Sequence, residues 1–274
     1  MKTLSLFFML LSIFSCGKHP ADLLRAGQAP IYNFPLYISS GDGTGTIWKY
    51  DKNAVREAFV TGLNDPRGIA IDKFQNLYVA ETGNSRVLKI NLDSKVITVM
   101  ADNLLDPRTV AVDSFGDVYV NQEDPTALNI MRVKDRKIIN TYLARPTAIA
   151  FGVNDIMLVG LFETAKVYWG GLLSSPNDSV QEPVTITIDV NGRAFVAEGT
   201  ATNAKVYRYH QAEPSGKTVV ADGLAGVTGI AVDTVGNIYI AEPGNSRIAL
   251  VTFKNEFFNW TNINVPQGMA FTPY

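Results

Sequence analysis

Thiol and imidazole chemistry is nearly missing from this chain: of 274 residues, one is a cysteine, Cys16, and two are histidines, His19 and His210. A single thiol cannot close an intramolecular disulfide. Two histidines so far apart cannot build a zinc site of three or four nitrogen or sulfur ligands. Charge is sparse and balanced, at 18% charged residues and a net charge of -2, so there is no general basic field for nucleic acid or anionic lipid. Neither a Gly-x-Ser-x-Gly elbow nor a phosphate-cradling glycine loop ahead of a helix is present. The glycine-rich stretch Gly41-Asp42-Gly43-Thr44-Gly45 joins two alternating apolar runs and reads as a hairpin loop.

What is there begins with Met1-Lys2-Thr3 ahead of the apolar run Leu4 to Phe14. That run is too short to cross a ~30 Å bilayer core as a helix, and with its basic start it reads as an export signal over residues 1–15. The stretch Ile13-Phe14-Ser15-Cys16-Gly17 resembles the bacterial lipobox, which implies acylation at Cys16. An ordinary signal-peptidase cut after Gly17 is the rival reading, and it would leave a secreted or periplasmic protein. Residues 16–32 lack sustained periodicity and contain turn formers, as a lipid-anchored tether would. A flexible segment of that length separates its ends by roughly 22 Å. The lipobox resemblance implies a bacterial envelope protein, with Gly17 favouring the outer membrane and membrane contact through the N-terminal acyl chains only.

A five-residue pattern, one small or polar residue and then alternating apolar ones, recurs six times after the tether. The copies are Gly68 to Asp72, Thr109 to Asp113, Ala148 to Gly152, Thr185 to Asp189, Gly229 to Asp233 and Gly268 to Thr272, and their ends are 41, 39, 37, 44 and 39 residues apart. A period of about 40 is that of four-stranded propeller blades, whose apolar faces are covered only when neighbours stack. In the best-defined unit the strands a to d are expected at Ile69 to Asp72, Leu77 to Glu81, Arg86 to Asn91 and Val96 to Ala101. Between a and b, an aspartate leads each of four short loops, and Gly116, Gly192 and Gly236 supply the positive φ that such turns need. The last strand a has no b to d after it. Those strands lie at the other end, at Pro35 to Ser39, Thr46 to Tyr50 and Val55 to Val60. The fold expected is therefore an all-β, six-bladed β-propeller of four-stranded antiparallel blades over residues 33–274, in which the C-terminal strand pairs with N-terminal strands (1+3).

The runs Asp65-Pro66-Arg67-Gly68-Ile69-Ala70-Ile71-Asp72 and Asn76 through Val87 resemble an NHL repeat, and Gly229 through Ile248 resembles it equally. The units at Thr109 and Thr185 match in part, and the unit at Ala148 is degenerate, with Gly152 where the aspartate stands elsewhere. The resemblance implies that two rings of residues open on the ligand-facing mouth. One is at the entry of strand a: Arg67, Arg108, Thr147, Val184, Thr228 and Gln267. The other is at the end of strand b: Ser40, Glu81, Gln122, Leu161, Glu198 and Glu242. Two arginines would then face three glutamates. In such repeats an acid after strand b also commonly pairs with a basic residue opening strand c, and Glu81 with Arg86 and Glu242 with Arg247 fit that structural role.

Function follows from these rings. A binding or scaffolding module, monomeric and without catalytic residues or a resident cofactor, is expected to take a protein or a small anionic ligand at the channel mouth. The alternative is a calcium-dependent hydrolase like the gluconolactonase and lactonase propellers, with Glu81, Glu198 and Glu242 as oxygen donors. No channel Asn or Asp completes that donor set. The aromatics Trp48, Tyr50, Tyr168, Trp169, Tyr207 and Tyr209 fall on strand c and are expected mostly in packing between blades. The insert Gly170 to Ser179 is either a missing outer strand or a partner-adapted loop.

Overall fold

The computed structural model describes residues 34–141, 145–162, 166–169, 172–173, 182–199, 202–210 and 213–272. The export signal, Cys16, the tether, most of the 170–179 insert and the last two residues lie outside the described residues. Among those described, the chain is all-β and forms a propeller of four-stranded antiparallel blades. The first sheet holds β1 (Leu36–Ser40), β2 (Thr46–Tyr50) and β3 (Arg56–Val60). The next is β4 (Pro66–Ile71), β5 (Asn76–Glu81), β6 (Arg86–Asn91) and β7 (Ile97–Ala101), followed by β8 (Pro107–Val112), β9 (Val118–Gln122), β10 (Asn129–Arg132) and β11 (Lys137–Thr141). Then come β12 (Pro146–Phe151), β13 (Met157–Leu161), β14 (Lys166–Trp169) and β15 (Leu172–Leu173), and after them β16 (Pro183–Ile188), β17 (Ala194–Glu198), β18 (Ala204–His210) and β19 (Glu213–Leu224). The chain ends with β20 (Gly229–Val232), β21 (Ile238–Glu242), β22 (Arg247–Val251), β23 (Phe257–Asn262) and β24 (Pro266–Phe271).

Strand β24 does not join the sheet that precedes it. It pairs with β1, Leu36 opposite Phe271 and Ile38 opposite Met269, so the first sheet is completed by the last strand. The insert after β14 contains a two-residue outer strand, β15, with Tyr168 opposite Leu173, so an edge strand is present there as a stub.

In four sheets the inner strand runs into its neighbour through a turn built by one aspartate. Asp72 accepts from the Phe74 and Asn76 backbone N–H groups at 2.9 and 2.8 Å, from Asn76 Nδ2 at 2.8 Å and from the Tyr78 hydroxyl at 2.9 Å. Asp113, Asp189 and Asp233 likewise accept from the backbone N–H groups two and four residues on. The turn residue before strand b is left-handed, with φ of 88°, 75° and 96° at Gly116, Gly192 and Gly236, and 61° at Gln75. Burial and the Asp72 carboxylate push the Tyr78 phenol upward.

Alternation within the strands packs one sheet on the next. Tyr37, Ile47 and Phe59 of the first sheet interleave with Ile69, Leu77, Val79, Leu88 and Ile90 of the second, and equivalent clusters fill the other seams. The small residue opening the five-residue pattern also has a packing reason. A Cβ on Gly68 would lie 2.6 Å from the Arg108 carbonyl oxygen, and one on Gly268 would lie 2.5 Å from that of Arg67. Backbones of neighbouring inner strands approach too closely there for any side chain.

Candidate functional site

The six strands β4, β8, β12, β16, β20 and β24 surround a central channel of about 740 Å³. Their apolar residues line its length, and polar side chains gather at its ends. The inner edge of each of these strands has no strand partner, so its carbonyl groups need donors from elsewhere. Side chains of adjacent sheets supply them. Ser39 donates to the Arg67 carbonyl at 2.5 Å, Thr82 to Pro107 at 2.6 Å, Asn121 to Pro146 at 2.7 Å and Thr228 to Pro266 at 2.8 Å, while Thr147 donates to Pro183.

The entry end is where charge collects. Arg67, Arg108, Thr147, Val184, Thr228 and Gln267 all line the channel there, as the repeat alignment implies. The arginines do not stand bare. Arg67 Nε donates to Asp65 Oδ2 at 3.0 Å, and Arg108 Nε donates to Asp106 Oδ2 at 3.0 Å while lying 3.6 Å from Glu123 Oε2. Burial disfavours the charge on Arg108. Asp106, Glu123 and Asp65 outweigh it, and the guanidinium is held above its usual range. Glu123 is also gripped by Arg145, through Nε at 2.9 Å and an Nη at 2.7 Å, and Arg145 stacks on the Phe162 ring. Three guanidiniums and three carboxylates thus form one cluster at this mouth, its arginines about one-third exposed and Glu123 buried. Among the described residues Arg67 donates through Nε alone, so its terminal nitrogens keep hydrogen-bonding capacity.

Glu123 and Arg145 are absent from the sequence-derived rings. Arg145 occupies the residue before the entry proline, where Asp65, Asp106, Glu182 and Val265 stand in other units. That x-Pro-y recurrence is the signal that locates it. The four counterparts are left-handed, with φ of 45°, 49°, 50° and 40°, a conformation that pre-proline and β-branched residues rarely adopt. This geometry turns the chain sharply from one sheet's outer strand into the next inner strand.

The second expected ring is corrected. Glu81, Gln122, Glu198 and Glu242 do not open on the mouth; all are buried within their sheets. Glu81 accepts from the Asn64 backbone N–H at 2.9 Å and from Asn84 Nδ2 at 2.8 Å, and pairs with Arg86. Glu242 likewise accepts from the Ala225 N–H at 2.8 Å and pairs with Asn245 and Arg247. Gln122 accepts from the Leu105 N–H at 2.8 Å, and Glu198 binds Lys217 Nζ at 3.1 Å. Glu81, Gln122 and Glu242 turn to the connection entering each sheet because its N–H groups have no strand to bind them, and Glu198 turns to Lys217 of the outer strand. In place of two arginines facing three glutamates, the mouth has three arginines held by Asp65, Asp106 and Glu123.

The same geometry bears on calcium. Glu81, Glu198 and Glu242 each spend their oxygens inside separate sheets and do not converge, and the described residues contain no group of three or more His, Cys, Asp or Glu side chains placed to hold a metal. The proposed calcium donor set therefore does not fit.

An NHL-repeat family model matches residues 63–90, which include β4, β5 and most of β6. No curated protein matches the chain. Among solved structures, the chain is similar to one from a nidogen/laminin complex, at 13% identity and a TM-score of 0.73, covering 87% of this chain and 98% of that one. It is also similar to streptogramin B lyase, at 16% identity, a TM-score of 0.57 and 89% coverage of each chain. Virginiamycin B lyase from Staphylococcus aureus gives 15% identity, a TM-score of 0.58 and coverage of 87% and 92%. At such identities these likenesses establish the propeller fold alone.

Proposed function

We propose that this chain is an exported, lipid-anchored, six-bladed propeller that captures a protein or small ligand bearing an anionic group at the entry mouth of its channel, at a bacterial envelope. The observation that carries the reading is the convergence of Arg67, Arg108 and Arg145 at one end of the channel, with the terminal nitrogens of Arg67 making no hydrogen bond among the described residues. Guanidinium groups recognise carboxylates and phosphates in a planar, two-pronged way that lysine does not reproduce. An incoming carboxylate would compete with Asp65 and Asp106 for those donors, so affinity is set by exchange of one acidic partner for another. The nidogen/laminin complex is a protein assembly containing this fold, which supports partner binding as a use for it. The N-terminal signal and Cys16 support export and anchoring.

Replacing Arg67 and Arg108 together by alanine is expected to reduce capture of the partner from envelope extract at least tenfold while the melting temperature moves little. A lowered melting temperature with undiminished capture by the folded fraction would retire the site. Anchoring is tested apart from it: palmitate-analogue label should appear on the native protein and disappear with Cys16→Ala.

A further inference from the structure

The other end of the channel carries a different chemistry. There the aspartate-led turns present Phe74, Phe115, Val190 and Val235 to solvent, joined by Ile156 from the turn between β12 and β13 and by Phe253 from the turn between β22 and β23. Phe115 is 79% exposed, Phe74 59% and Phe253 53%. Other exposed apolar residues, among them Leu105, Val99, Val219 and Phe257, lie on outer strands or at the entry end, but Phe74, Phe115 and Phe253 stand together on this face. The turns that carry them are braced. Ser114 donates to Asp155 across two sheets through N and Oγ, both at 2.7 Å, the Phe253 N–H donates to Asn237 Oδ1 at 3.0 Å, and the Phe74 ring packs over Gly116. The backbone that carries Phe115 and Phe253 is thus tied to neighbouring turns.

Two further observations say what meets this face. The first described residue, Phe34, lies at the same end, packed on Tyr239, Trp260 and Phe271, so the segment with the export signal and Cys16 joins the propeller beside the apolar ring. The lysines here stand next to the phenylalanines. Lys73 Nζ lies 5.3 Å from the Phe74 ring centre and Lys254 Nζ 5.8 Å from that of Phe253. Of the acids at this end, Asp117 is engaged by Lys134 and Arg132, Asp155 by Ser114 and Asp51 by turn N–H groups, while Asp93 stays exposed.

We propose that this face docks on the surface of a phospholipid bilayer, with phenylalanines at the acyl boundary and Lys73 and Lys254 at headgroup phosphates. Apolar rings flanked by lysines have this preference at a membrane–water boundary. The proposal deepens the anchored reading and rests on it for orientation, since a tether entering at this face turns it toward the bilayer and turns the arginine mouth away. It adds protein contacts to a membrane association expected from acyl chains alone.

The test uses the full chain with Cys16→Ser, which cannot be acylated, sedimented with phosphatidylglycerol-containing vesicles. Adding Phe74→Ser, Phe115→Ser and Phe253→Ser is expected to lower partitioning at least tenfold, and Lys73→Glu with Lys254→Glu at least fivefold with loss of its salt sensitivity. The charge variants alter only exposed side chains and keep the test decisive should the triple serine variant fold poorly. Partitioning equal in all folded variants would overturn the docking face, because residues 1–33 or another surface would then carry it. Loss of capture of a second protein with unchanged vesicle binding would overturn it in favour of a protein partner. Palmitate labelling separates the two claims: no label with variant-sensitive partitioning removes the anchor and keeps the face, and label with insensitive partitioning does the reverse.

Discussion

The sheets β4–β7 and β12–β15 are built from the same plan and finished differently. In the first, Glu81 ties the incoming connection and the b–c turn together, Asp72 organises the a–b turn, and all four strands have five or six residues. In the second, Leu161 stands at the Glu81 position and Gly152 at that of Asp72, and the outer strand has two residues. Two successive residues of its turn, Asn154 and Asp155, are left-handed, and Phe162 reaches the Arg145 carbonyl through backbone alone at 2.9 Å. Yet β12 and β13 pair through the same kind of register, and Leu158, Val159 and Leu161 are as buried as their counterparts. Strand pairing and apolar burial between sheets therefore sustain a blade. The carboxylates fasten its turns, and the family-model match over residues 63–90 falls on a sheet that has them.

If that distinction holds, Glu81→Ala should be the most damaging single change at these positions. It leaves the Asn64 N–H without its acceptor and Arg86 without its partner, at a cost of about 3 kcal/mol. Leu161→Ala should cost somewhat less, about 2 kcal/mol, as a loss of packing alone. Urea unfolding of the two variants measures the difference, and a Glu81→Ala cost under about 0.5 kcal/mol would mean the carboxylate fastens nothing. Next in size is Asp72→Ala, expected to cost about 2 kcal/mol because four donors lose one acceptor. Loss confined to hydrogen-exchange protection around residues 72–78 would mark it as a local fastener, whereas uniform loss would make it part of the core.

A third expectation concerns alkali. Tyr37 lies in the seam between the first two sheets against Phe59, and burial, followed by Glu57 and Asp93, pushes its phenol up to about 12. A pKa raised on folding contributes stability that is complete below the unfolded value near 10 and is lost as pH rises toward 12. Tyr37→Phe should remove up to about 3 kcal/mol of that loss, seen as a flatter melting temperature between pH 10 and 12. An unchanged alkaline limb would place the sensitivity elsewhere. The smallest stability effect is expected at the mouth, where Arg67→Ala and Arg108→Ala should each cost under about 1 kcal/mol, since both pairs are partly solvated.

The strands, the aspartate turns and the channel-lining entry ring were legible because each leaves a periodic trace: alternation in two, an aspartate at a fixed offset, and an x-Pro-y step. The orientation of Glu81, Glu198 and Glu242 was not. At the last residue of a strand, alternation alone does not say whether a side chain meets the channel or the connection entering the sheet. Arg145 and Glu123 were hidden for a related reason. Their positions recur, but the residue type changes from unit to unit, so no repeat announces them. The stub β15 sits among Gly, Ser and Pro, where two leucines carry too little pattern to be read as a strand.

The pairing of β24 with β1 sets an order of events. Ser39 and Gly268, hydrogen-bonded across that pairing, are 229 positions apart, so the first sheet must wait with an open inner edge until nearly the whole chain has emerged. Contacts of such separation form late and slowly. Ring closure is therefore expected as the last step of folding, made between the two ends of the propeller rather than between neighbours in sequence.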